Sequence, residues 1–140
     1  MKVGTLFKWQ NFPSPQFGGK KKPRLFVYLG DTGLLESPTR AYIHTTTTNL
    51  GNPGNKIFFS AKKYNFFDQD CYLYYNEPPY TINKSTLKNN PKIEILGRLS
   101  EQVLKNIYNG ILKSYKYSKI QILDIHASFN KDGITGLKKP

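Results

Sequence analysis

The side chains best suited to chemistry fall in two short segments. Gly18-Gly19-Lys20-Lys21-Lys22-Pro23-Arg24 runs into the apolar stretch Leu25-Phe26-Val27-Tyr28-Leu29. Tyr42-Ile43-His44-Thr45-Thr46-Thr47-Thr48 is an apolar run that ends in hydroxyls. A cationic loop feeding one strand, beside another that ends in hydroxyls, can bind and polarise a phosphodiester: cations offset its charge and hydroxyls donate to its oxygens. The same residues suit a solvated loop next to an ordinary edge strand, and spacing leaves both readings open. In a strand only alternate threonines share a face, so Thr45 and Thr47 act together, or Thr46 and Thr48 do. His44 adds a group that titrates near neutrality and could serve as an acid or base, although a histidine among apolar neighbours also suits a structural role. Trp9, Phe12 and Phe17 offer flat faces that can stack on bases or pack in a core.

The charge balance fits a polyanionic partner. Against 9 Asp and Glu the chain carries 21 Lys and Arg, a formal net charge of +12. Such an excess favours phosphate-rich surfaces through counterion release and long-range steering. No apolar run approaches the ~20 residues that a spanning helix needs, and the N-terminus lacks the apolar core of a signal peptide, so a cytosolic protein without a membrane partner is expected. Cys71 is the single cysteine, which leaves no intramolecular disulfide and no thiolate cluster. His44 and His126 lack a ligand-spaced carboxylate cluster, so neither a metal nor another cofactor is expected.

The elements that must position these groups read mostly as strands. Lys2 to Trp9 alternates as a strand, broken at Asn11-Phe12-Pro13-Ser14-Pro15 by two prolines. Arg24 to Leu29 is short, aromatic and β-branched, and Thr39 to Thr47 follows as a second strand. Lys56 to Ala61, Asp70 to Tyr75 and Lys92 to Leu96 are further strands, with turns at Asn49 to Asn55 and at Glu77-Pro78-Pro79-Tyr80. One long helix is predicted over 100–115. Ser100 is its N-cap, Glu101 lies in its first turn, and Val103, Leu104, Ile107, Ile111 and Leu112 form its apolar stripe. Gly110 weakens that helix by about 1 kcal/mol relative to Ala, so a packing reason is expected there. Ile120 to Ile125 reads as a possible added strand. A single, mainly β domain over 1–129 is expected, with a loosely held tail at 130–140.

Three segments in this order resemble the MazF/PemK family of toxin endoribonucleases from toxin–antitoxin modules. Its members begin with a strand, an aromatic and a Phe-Pro pair, matched here by Trp9 and Phe12-Pro13. A Gly/Lys-rich loop and an Arg-Pro pair then lead into an apolar strand, matched by Gly18 to Lys21, Lys22-Pro23 and Leu25 to Leu29. Ile43-His44-Thr45-Thr46 fits the family's second strand ending in Thr-Ser, and Gly97-Arg98-Leu99-Ser100 fits its entry to a C-terminal amphipathic helix. The resemblance covers roughly residues 1 to 115 and rests on order and spacing, since each motif is short.

That resemblance implies an SH3-like barrel, a homodimer, an antitoxin partner and metal-independent cleavage of single-stranded RNA. In such cleavage the RNA 2′-hydroxyl attacks the adjacent phosphate, an arginine stabilises charge and acts as acid, and a threonine holds the phosphate. The family's arginine before proline is Lys22 here, with Arg24 two residues on. Positions 22 and 24 share a face in a strand, so Arg24 can supply the guanidinium from a shifted position. Arg24, Lys22, Thr45, Thr46, Thr47 and His44 are thus the candidate catalytic set, and Lys20, Lys21, Phe12 and Phe17 the candidate RNA contacts. The alternatives are a non-catalytic nucleic-acid-binding barrel and a basic protein-interaction module on the same scaffold.

Overall fold

The computed structural model describes residues 1–13, 21–48, 54–65 and 67–140. Among the described residues, seven strands and three helices follow one another. They are β1 (Thr5–Pro13), β2 (Lys21–Asp31), β3 (Arg40–Thr45), β4 (Lys56–Phe59), β5 (Cys71–Tyr74), β6 (Tyr80–Asn83), α1 (Lys84–Leu87), β7 (Ile93–Arg98), α2 (Glu101–Leu112) and α3 (Lys119–Lys131). Five strands form an antiparallel sheet in the order β6-β3-β2-β1-β7, and β4 with β5 forms a separate antiparallel pair. The two sheets meet where Thr47 and Tyr72 exchange backbone hydrogen bonds of 2.8 Å each.

Both faces of the central strands are covered, which is why β2 reads as an unbroken apolar run rather than an alternating one. On one face Leu6, Val27, Leu29 and Tyr42 pack with Leu104, Ile107 and Ile111 of α2, Ile125 and Phe129 of α3, and Phe59 and Leu73 of the β4–β5 pair. On the other, Phe7, Trp9, Phe26, Tyr28 and Ile43 form an aromatic-rich cluster with Phe12 and Leu87, bordered by Tyr80 and Ile82 of β6.

Several sequence expectations need correction. The first strand continues through Asn11 and Phe12, because a bulge between Trp9 and Phe12 inserts one residue opposite the β2 positions 24 and 22. That extra residue returns Phe12 to the side of the sheet that Trp9 occupies, and Pro13 is tolerated as the last residue of the strand. Tyr80, expected to close the turn at Glu77-Pro78-Pro79-Tyr80, instead opens β6, which pairs with β3 as an edge strand.

The predicted single C-terminal helix is two. α2 ends at Leu112, and residues 120–125, expected as a strand, lie within α3. Ser118 caps α3 in a reciprocal capping box with Gln121, and Ile122, Ile125 and Phe129 are its buried apolar positions. The tail is also held. Asp132 accepts from the Val3 backbone N–H at 2.8 Å, Ile134 is buried, and the Tyr108 hydroxyl donates to the Lys138 carbonyl at 2.7 Å. Among the described residues no helix is long and apolar enough to cross a membrane.

Candidate functional site

Arg24 lies near the start of β2, half-buried and paired across the ladder with Trp9 of β1. Thr45 ends β3 and pairs with Phe26. Side chains at 24 and 26 project to the same side, so the guanidinium and the Thr45 hydroxyl lie on one face, diagonal across two neighbouring strands. Arg24 Nη1 donates to Thr45 Oγ1 at 3.4 Å, a long and therefore weak contact that both groups can exchange for bonds to a ligand oxygen. Thr45 Oγ1 is also 3.1 Å from its acceptor at the Thr46 carbonyl. Burial lowers the Arg24 pKa from its ordinary value, with Tyr80 and Glu77 acting against the shift. The guanidinium remains a cation at neutral pH.

The strand pleat separates the threonines. Thr46 is 7% exposed, its hydroxyl directed to the Leu25 carbonyl at 3.5 Å. It also bonds the Cys71 thiol, whose pKa burial pushes up to about 11. Thr47 is partly exposed and stands opposite Tyr72. A cavity of about 560 Å³ opens at these strand ends, within the usual range for a ligand site, and is lined by Pro23, Arg24, Leu25 and Thr46 to Thr48. It draws on residues of both strand faces and therefore lies at the rim of the sheet. Lys8 adds a second cation, while Asp68 and Glu94 add two carboxylates to the lining.

The other candidates fall elsewhere. Phe12, expected as a possible stacking surface, is 3% exposed and wedged among Trp9, Phe26 and Tyr80 at ring separations of 5.0, 4.8 and 5.1 Å. It is a core residue. His44 is 1% exposed and does not line the cavity; its Nδ1 lies 2.5 Å from the Tyr117 hydroxyl, with the two rings stacked. Burial lowers its pKa to about 4, so it is neutral at pH 7 and walled off from any substrate, contrary to an acid–base role. Lys21 and Lys22 belong to the first turns of the β2 ladder, opposite Pro13 and Phe12. Lys20 and Phe17 lie outside the described residues.

Lys8, Asp68, Glu94 and Tyr80 were not among the sequence candidates. Lys8 and Glu94 face each other across β1 and β7, and Lys8 also pairs with Leu25 across β1 and β2. Only that register reveals Lys8 and Glu94, because each sits in a strand as an ordinary charged residue. Among the described residues no group of three or more His, Cys, Asp and Glu side chains is placed to hold a metal ion. No protein-family model matches the chain, and no curated protein matches it.

Proposed function

We propose that this chain is a metal-independent endoribonuclease of MazF/PemK type, acting on single-stranded RNA as the toxin of a toxin–antitoxin module. The observation that carries this reading is the convergence of Arg24 and Thr45 at 3.4 Å, on the two strands where the family resemblance expects them; Arg24 also lines the open cavity, which Thr45 does not. The small, mainly β fold with strand order β6-β3-β2-β1-β7 is compatible with this reading, and an SH3-like barrel enters it by resemblance alone. The net charge of +12 supports an RNA substrate. A cytoplasmic homodimer neutralised by an antitoxin completes the reading by resemblance.

In this mechanism the RNA 2′-hydroxyl gives up its proton to water as its oxygen attacks the adjacent phosphorus, and the bond to the 5′-oxygen breaks as that oxygen takes up a proton, leaving a 2′,3′-cyclic phosphate and a 5′-hydroxyl. Arg24 offsets the charge that builds on the non-bridging oxygens, and the Thr45 hydroxyl donates to one of them. Such fixed donors are usually the largest catalytic term. His44 takes no part. By resemblance Arg24 is also the acid that protonates the departing 5′-oxygen, regaining its proton from water.

The test is incubation of purified protein with a long single-stranded RNA in EDTA, comparing wild type with Arg24→Ala. Discrete fragments ending in 2′,3′-cyclic phosphate are expected, with the rate in the variant down by about 100-fold or more. Two carboxylates on the cavity wall, Asp68 and Glu94, favour a second reading, in which the barrel binds nucleic acid without cleaving it. RNA that shifts on a gel yet stays intact selects that reading.

A further inference from the structure

Beyond the cavity, the β4–β5 pair carries an aromatic surface that the core does not use. Phe58 is 51% exposed, although most large apolar side chains in the strands are buried. It stands directly opposite Tyr72, and the two rings lie 5.3 Å apart at 33°. Their strand neighbours Phe59 and Cys71 point the other way and are buried, so the pleat turns Phe58 outward, while Tyr74, on the side of Tyr72, is itself buried. Lys56, next on the same side of β4, holds its ammonium 5.5 Å above the ring of Tyr74, and Tyr74 lies 6.2 Å from Tyr72. A flat apolar face with a cation at its edge suits a nucleobase attached to a phosphate, and suits a purely apolar partner poorly.

The placement of this pair ties it to the site. Tyr72 exchanges both backbone hydrogen bonds with Thr47, so their side chains share a side, and Thr45 lies one further alternation along the same strand. Arg24, Thr45, Thr47, Tyr72 and Phe58 therefore form a continuous row across two sheets. We propose that Phe58 and Tyr72 are a stacking platform that holds an unpaired base of single-stranded RNA flanking the phosphate bound at Arg24 and Thr45. This deepens the ribonuclease reading and rests on its choice of RNA as substrate. The platform reads no hydrogen-bond pattern, because every base has a π-face; it positions the strand and selects against duplex, whose bases are already stacked.

The experiment uses the full chain and a 2′-O-methyl octaribonucleotide carrying one 2-aminopurine, which lacks the attacking hydroxyl and so stays intact. Stacking on the platform quenches the fluorophore at saturating wild-type protein. Phe58→Ala is expected to lose the quench and to weaken binding by about 5- to 100-fold, while Phe58→Trp retains both. Arg24→Ala at saturation keeps the quench. Equal affinity and equal quench in wild type and Phe58→Ala overturn the platform, provided both melt alike, as the exposure of Phe58 leads one to expect. A change of oligomeric state in Phe58→Ala without change in the quench also overturns it, and assigns the pair to a protein interface. Failure of the two readings is separable. Quenching without cleavage of ordinary RNA sinks the ribonuclease and leaves the platform, whereas cleavage unaltered by Phe58→Ala does the reverse.

Discussion

Substituting His44 tests the placement of the site through pH. The ring is 1% exposed, Nδ1 meets the Tyr117 hydroxyl, and Nε2 closes no well-formed hydrogen bond although the Tyr74 backbone lies near enough to raise the pKa somewhat. Burial dominates and lowers the pKa from 6.5 to about 4. Tyr117, the polar group stacked on the ring, has its own pKa raised by burial and is neutral throughout this range.

The unfolded chain binds a proton at His44 as pH falls through about 6.5, and the folded chain waits until about 4, so the folded state loses ground across that window. Below both values each state is protonated and the penalty stays constant. Between pH 7 and 4.5 the shift is worth about 2.5 kcal/mol of lost stability. The assay is urea denaturation of wild type and His44→Gln at those two pH values. Carboxylates titrate in both proteins, so the difference between the two pH losses isolates the histidine. Equal losses, or an imidazole NMR titration centred near 6.5, would refute the burial. A buried neutral ring also predicts that cleavage survives His44→Gln at pH 7 once stability is matched.

Three further outcomes follow from particular contacts. A Cβ at Gly110 would meet three Tyr75 ring atoms at 2.3 to 2.5 Å, and that ring is buried with its hydroxyl directed to the Asn106 carbonyl. Overpacking of about 2–3 kcal/mol outweighs the ~1 kcal/mol gain in helix propensity, so Gly110→Ala should lower the melting temperature by several degrees, and a rise would contradict the packing. Thr45→Val should slow RNA cleavage by about 10- to 100-fold while Thr46→Val stays close to wild type; the reverse order in a kinetic assay would move the site to the other strand face. Ile134→Ala should cost about 2–4 kcal/mol in chemical denaturation, because the tail is part of the core, and an unchanged midpoint would restore the loosely held tail.

What could be read from the sequence was local, and what could not depended on register. Ser100 was legible as an N-cap, and its hydroxyl accepts from the Val103 N–H at 3.3 Å. The packing reason expected at Gly110 is the Tyr75 ring. α3 was missed because Ile120, Ile122 and Ile125 suggest a strand over so short a window, although the Ser118…Gln121 capping box was present to be seen. Phe12 and His44 were misjudged for a different reason. Whether an aromatic or an imidazole faces solvent is decided by what the neighbouring strands and helices place over it, here Tyr80 from β6 and Tyr117 from the α2–α3 connection. Thr45 and Thr46 differ only in pleat parity, which a run of four threonines does not reveal.

The same register bears on Arg24 against Lys22. β2 and β3 pair Phe26 with Thr45, so position 24 lies one alternation outward from that pair and within diagonal reach of the threonine. Position 22 lies a further two residues out, about 7 Å along the strand, opposite Phe12 beyond the bulge. A guanidinium at 24 reaches Thr45 directly, and its planar fork can engage two phosphate oxygens at once. An arginine two residues along β2 therefore keeps the parity of position 22 and lies nearer the hydroxyl. The departure from the family's Arg-Pro order is in this geometry compatible with retained chemistry, and makes Arg24 the residue on which the ribonuclease reading stands or falls.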